Sequence, residues 1–149
     1  MTQRIKRIQR ILEIRDKELR ERVARLTAAQ QQEAEAEGRL ERASVEFECA
    51  MTARRDVYLH PTDAASLMEA EEWLAVKSYC VDVSRHQLAK AQRVRGRMQV
   101  EVLRARDKIR QLEKVAARLR DRHRAQLERR EQREHDELAA LFRRRVNER

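Results

Sequence analysis

The stretch YLHPTDAAS, Tyr58–Ser66, holds the chain's only proline, and its reading decides the fold. Proline lacks a backbone N–H and pushes the residue before it out of helical geometry, so a helix arriving from the N-terminal side is expected to end just before His60. Thr62 or Asp63 can then cap a second helix by accepting a hydrogen bond from one of its early N–H groups. Glu69, Glu71 and Glu72 follow close to the positive end of that helix. With only 2 Gly in 149 residues, the chain has little else from which to build turns.

On either side of this break the apolar residues repeat in sevens. Counting from Ile5, the a positions are Ile5, Leu12, Leu19, Leu26, Glu33, Leu40, Phe47 and Arg54. The d positions are Ile8, Arg15, Arg22, Ala29, Ala36, Ala43, Ala50 and Val57, and twelve of the sixteen are apolar. After the break the a positions are Leu67, Leu74, Val81, Leu88, Arg95, Val102, Ile109 and Ala116. The matching d positions are Ala70, Lys77, Ser84, Ala91, Met98, Ala105, Leu112 and Leu119, with thirteen of sixteen apolar. High charge (41%) and few aromatics (3%) suit disorder as well as a coiled coil, but a heptad repeat this long settles for the coiled coil.

Two seams of equal length around one proline describe an all-α antiparallel coiled-coil hairpin. The expected organisation is a single domain over 1–149: helix 1 over about 3–58, a turn at 59–63, and helix 2 over about 64–146. Folding about residue 62 sets Ala43 opposite Val81, Ala50 opposite Leu74 and Leu12 opposite Leu112. Glu33 then faces Ala91 and Arg95 faces Ala29, which reads as a weaker middle, with Gly38 and Gly96 each lowering helix propensity nearby. Past Leu119 the count fails, so residues 120–149 form an overhang that nothing in the chain covers.

Charge is uneven along the fold. Residues 1–26 carry nine bases and four acids, residues 27–72 four bases and eleven acids, and residues 73–149 twenty-two bases and eleven acids. Such a gradient suggests that the end holding both termini docks on an acidic surface. Nucleic acid fits poorly, because bases alternate with acids and no aromatic stacking platform is visible. Membrane insertion fits no better, since no apolar run approaches the roughly 20 residues a span needs. No secretory signal precedes the first helix, so a cytoplasmic location is expected. Cys49 and Cys80 read as part-buried helix residues. His60, His86, His123 and His135 are too scattered for a zinc site and read as surface or turn residues. No phosphate loop or nucleophile–base pairing appears; neither an enzyme nor a cofactor is indicated.

Two surfaces remain as binding candidates. In the overhang, Leu138, Leu141, Phe142 and Val146 have the spacing of a helix that lays apolar anchors into a groove. Near the turn, Tyr58, Trp73 and Tyr79 fall off the a and d positions, which points to exposed aromatics and a second contact site.

An N-terminus reading RIQRILEIRDKELRERVARL and a C-terminus reading REQREHDELA resemble the FliJ/YscO family, the coiled-coil stalk proteins of type III secretion systems. Gln132 followed by Asp136-Glu137-Leu138-Ala139 carries most of the likeness. The resemblance implies a non-enzymatic stalk at the cytoplasmic face of the export apparatus. Its termini end would touch the hexameric export ATPase through Gln132, Asp136, Leu138, Leu141, Phe142, Arg143, Arg144 and Arg145. Its turn end, with Tyr58, Trp73 and Tyr79, would touch the export gate protein, and secretion chaperones are further implied partners. The N-terminal pattern is the more YscO-like, which leans toward a host-directed injectisome associated with virulence rather than a flagellum. A self-associating scaffold, or less readily a basic nucleic-acid-binding coiled coil, would fit the same composition.

Overall fold

The computed structural model describes residues 2–60 and 63–147, with every side chain among them except those of Thr2, Phe142 and residues 144–147. Two helices fill these residues: α1, Thr2–Leu59, and α2, Ala64–Asn147. Among the described residues there is no strand. The last backbone bond beyond α1 runs from His60 N–H to the Asp56 carbonyl at 3.0 Å. Asp63 caps α2: its Oδ1 accepts from the Ser66 N–H at 2.8 Å, satisfying a donor that the first turn would leave unpaired. Pro61 and Thr62, the other candidate cap, lie outside the described residues.

Packing divides the chain into two compact units, and each helix contributes to both. One unit is residues 20–103; the other joins residues 1–19 with residues 104–149. In the first, Ala29, Ala36, Ala43 and Ala50 are buried, four consecutive d positions of α1, together with Ala70, Val81 and Val102 of α2. In the second, Ala105, Ile109 and Ala116 are buried, with Leu12, Leu19, Leu112 and Leu119 half-buried beside them. Every one of these ten buried residues occupies an a or d position of the heptad count, so burial follows the seam and nothing else. A side chain two residues away on the same helix points to solvent. Cys49 shows this: expected part-buried, it sits at a c position and is exposed.

Polar contacts fix the register in the unit of residues 20–103. Folding about residue 62 puts Arg54 opposite Ala70, and its Nε binds Glu71 Oε1 at 2.6 Å, one residue along. Glu46 falls opposite Ser78 and accepts from Lys77 Nζ at 2.6 Å. Arg22 falls opposite Val102 and donates Nη1 to the Glu101 carbonyl at 3.4 Å. As the residue number falls on α1 it rises on α2, which is an antiparallel pair.

The charged residues that interrupt the seam are all partnered. Arg15 turns along its own helix to Glu18 at 2.7 Å, while Arg22, Arg54 and Lys77 make the contacts above. Glu33 and Arg95, which the count sets opposite alanines as separate weak points, bind each other at 2.8 Å. The long arginine side chain reaches one helical turn along the seam, and the carboxylate side chain is only 14% exposed. No side-chain polar atom buried among the described residues lacks a partner.

Gly38 and Gly96, in the same stretch, have no steric reason to be glycine. A Cβ on either would meet nothing within 4 Å, and neither has a positive φ. Gly38→Ala and Gly96→Ala should therefore each stabilise the protein by about 0.5–1 kcal/mol, seen as a higher urea midpoint at unchanged slope. Arg95→Leu alone should cost about 1–3 kcal/mol, because it leaves the Glu33 carboxylate part-buried without its partner. Glu33→Leu combined with Arg95→Leu should recover that loss or exceed it, since a packed apolar pair replaces an ion pair that had to be desolvated. A double variant as unstable as Arg95→Leu would show that the pair does more than satisfy charge.

Candidate partner-binding surfaces

Near the turn, α1 and α2 enclose a small polar cluster. Arg54 Nε and the Tyr58 hydroxyl both donate to Glu71 Oε1, at 2.6 and 2.9 Å. The guanidinium carbon lies 5.3 Å from the Tyr58 ring centroid, within reach of a cation–π contact. The Tyr58 hydrogen bond, then that from Arg54, holds the Glu71 carboxyl below its ordinary range. The Glu71 hydrogen bond in turn raises the Arg54 guanidinium. Hydrogen bonding from Ser66 lowers Asp63 at the α2 cap. Across the Lys77–Glu46 bridge, the shared hydrogen bond lowers Glu46 and raises Lys77.

The three turn-side aromatics do not form one patch. Tyr58 takes an e position, on the flank of the seam that also carries Glu71 at e of α2. Trp73, 42% exposed, takes a g position on the other flank. Tyr79, 70% exposed, takes an f position on the back of α2, beside Met68 and Val76, which are also exposed. A groove runs along the flank with Tyr58, which the sequence reading missed. Ser44, Phe47, Glu48 and Met51 line it from α1, and Ser78, Val81, Asp82 and Arg85 from α2. A second depression, lined by Met51, Arg54, Arg55 and Tyr58, continues it toward the turn. The signal was present in Phe47, Met51 and Tyr58, whose spacing keeps them on one side of α1. Counting only a and d positions passed it over.

In the overhang, His123 is half-buried and every residue from Arg124 to Leu141 is exposed. Gln132, Asp136, Leu138, Leu141 and Arg143 are all exposed. The side chains of Phe142, Arg144, Arg145 and Val146 lie outside the described residues. At about 100° per residue, Leu138 and Leu141 share a face with Leu127, another exposed leucine. Gln132, Asp136 and Arg143 lie about half a turn away, on the opposite face. The candidates read from the sequence thus fall on two sides of one bare helix. Leu127 escaped notice because strict counting in sevens lands on Gln126 instead.

Among the described residues no cluster of His, Cys, Asp or Glu could hold a metal ion, and no helix is long and apolar enough to cross a membrane. What the geometry offers is surface: a seam that is used up, a groove beside the turn, and a helix end with no cover. This is the architecture of a helical-hairpin interaction protein. The model of the family described as "Flagellar FliJ protein" matches residues 4–148, so the chain belongs to the FliJ family. With that family comes the class of stalk-like components of flagellar and type III protein export. Neither the curated proteins nor the solved structures gave a match.

Titration of the partnered groups predicts how stability follows pH. A carboxyl held low in the folded state stabilises above its unfolded pKa, about 4, and loses that contribution as pH falls through the folded value. Asp63, Glu46 and Glu71 all have this sign. Lys77 has the other: its contribution is full below its unfolded value of about 10.4 and disappears as pH rises through the raised folded value. Melting temperature should therefore be level near neutrality and decline below about pH 4. Glu71→Gln should shallow the acid-side decline, and an unchanged slope would remove Glu71 from the account.

Proposed function

We propose that this chain is a central-stalk component of a type III export apparatus, binding the hexameric export ATPase and linking it to the export gate on the cytoplasmic side. The observation that carries the reading is the bare helix from Arg124 to Leu141. An isolated helix of this composition is marginal in water, so a partner has to order it. Its leucines lie on one side and Gln132, Asp136 and Arg143 on the other, and a partner that surrounds the helix covers both, as the bore of a ring does. Charge supports the same assignment. The unit of residues 1–19 and 104–149 carries twenty-two bases and twelve acids, against thirteen and fourteen in residues 20–103. A carboxylate-rich bore would attract the first unit.

The groove by Phe47, Met51 and Tyr58, with Trp73 and Tyr79 nearby in sequence, is the surface we assign to the gate, and to secretion chaperones in exchange with it. The matching family model carries the flagellar description, so a flagellar system stands beside the injectisome suggested by the N-terminal pattern. The bare leucines also suit a self-associating scaffold, which a concentration-dependent mass would reveal.

Deleting residues 124–149 removes none of the residues buried among those described, so cooperative melting should survive while binding to the ATPase hexamer falls sharply. Leu138→Ala with Leu141→Ala should weaken binding at every ionic strength, because apolar burial is little affected by salt. Reversing Arg143, Arg144 and Arg145 to Glu should remove chiefly the salt-sensitive part, exposed charges acting within a Debye length of about 8 Å. If the truncated chain binds its ring and supports secretion as the full chain does, the overhang is not the docking element.

A further inference from the structure

The three leucines beyond residue 120 are Leu127, Leu138 and Leu141, and all are about half exposed. They lie on one line with Glu131 and Glu134: the steps from 127 to 131, 134, 138 and 141 alternate between four and three. That alternation is the signature of a coiled-coil seam. It follows on from Ala116, Leu119 and His123, displaced by one residue round the helix from the strict count in sevens. A straight helix drifts about 20° per heptad against a 3.5-residue repeat, so a seam that changes partner can change phase there. Ala116 is buried and His123 half-buried, both under cover; from Arg124 on, the same side of α2 is bare.

We infer that residues 127–141 form a second seam, built for a partner helix that places basic side chains opposite Glu131 and Glu134 and apolar ones opposite the leucines. The inference rests on the docking role proposed above for the overhang and adds the chemistry of what docks. The two glutamates decide the occupant. In antiparallel pairing of two copies, setting Leu127 opposite Leu138 sets Glu131 opposite Glu134; in parallel pairing each glutamate meets itself. Like charges across a seam oppose association, so a second copy of this chain is a poor occupant. Neither glutamate makes an ion pair among the described residues. A helix with lysine or arginine at both sites gains two charge pairs between flanking apolar contacts, which also fixes its register.

The test uses the full chain and two synthetic helical peptides with leucines in the same four–three spacing. One peptide carries Lys at the two central seam positions and the other Glu. The Lys peptide should bind several-fold more tightly, by fluorescence anisotropy at low salt. Glu131→Lys with Glu134→Lys should invert that preference, and Leu127→Ala with Leu138→Ala should abolish binding of both. Sedimentation of the unmodified chain should show a monomer. Equal binding of the two peptides, or a preference that the double reversal leaves standing, overturns the inference. So does a dimer that Leu127→Ala dissolves, because the occupant is then a second copy. No ring enters these measurements. A chain that discriminates the peptides but ignores the ATPase would refute the proposed function and leave the second seam in place; the reverse result would do the opposite.

Discussion

Everything in this protein depends on a seam one residue wide on each helix. With charged residues at 41% and aromatics at 3%, neither helix could hold its shape by propensity alone over such a length. Burial on the a and d positions supplies the stabilisation, and it is thin. The buried residues among those described are seven alanines, Ala29, Ala36, Ala43, Ala50, Ala70, Ala105 and Ala116, and three larger aliphatics, Val81, Val102 and Ile109. Among the described residues no large side chain is fully buried. Alanine lets two helix backbones approach closely, and half-buried leucines then close over the contact from either side.

A seam of small residues discriminates poorly between registers, because alanine against alanine looks alike one heptad further on. The charged residues within it supply what the alanines lack. Glu33 with Arg95, Lys77 with Glu46 and Arg54 with Glu71 can each be satisfied together only when the helices lie in one alignment. In the Glu33–Arg95 pair the largely covered carboxylate also carries a desolvation cost that a slipped register would leave uncompensated. The Asp63 cap and the Tyr58–Glu71–Arg54 cluster fix the alignment close to the turn. Exposed ion pairs of this kind contribute little to stability and more to uniqueness.

Where α1 no longer covers α2, the same helix changes from a structural element to a presented surface. Leucine continues at a similar frequency, six in residues 64–119 and three in residues 120–149, while arginine becomes denser, eight against ten. What changes is cover, and with it the meaning of each leucine. Under α1, Leu112 and Leu119 are half-buried seam residues, whereas Leu127, Leu138 and Leu141 are exposed. Membership of the FliJ family sets this surface in the context of protein export, and the unit that contains it is strongly basic.

The two helices, the break at the proline, the antiparallel pairing and the buried positions are all legible in the residues alone, because they follow from chain-local periodicity and from the one residue that cannot continue a helix. The heptad count set the end of the shared seam at Leu119, whereas His123, one heptad beyond Ala116, is still half-buried. Which side chains partner each other emerges once the two helices are packed together. Glu33 and Arg95 looked like two separate faults because counting sets each opposite an alanine; an arginine side chain spans a helical turn, and its reach is a distance in space. Tyr58, Trp73 and Tyr79 looked like one aromatic site because they are close in number, yet e, g and f positions face three directions. Gln132 and Asp136 separated from Leu138 and Leu141 for the same reason. Leu127 was hidden by a count in sevens that a straight helix does not keep. Position along a chain is one-dimensional, and a binding surface is set by the angle around the helix and by what lies across from it.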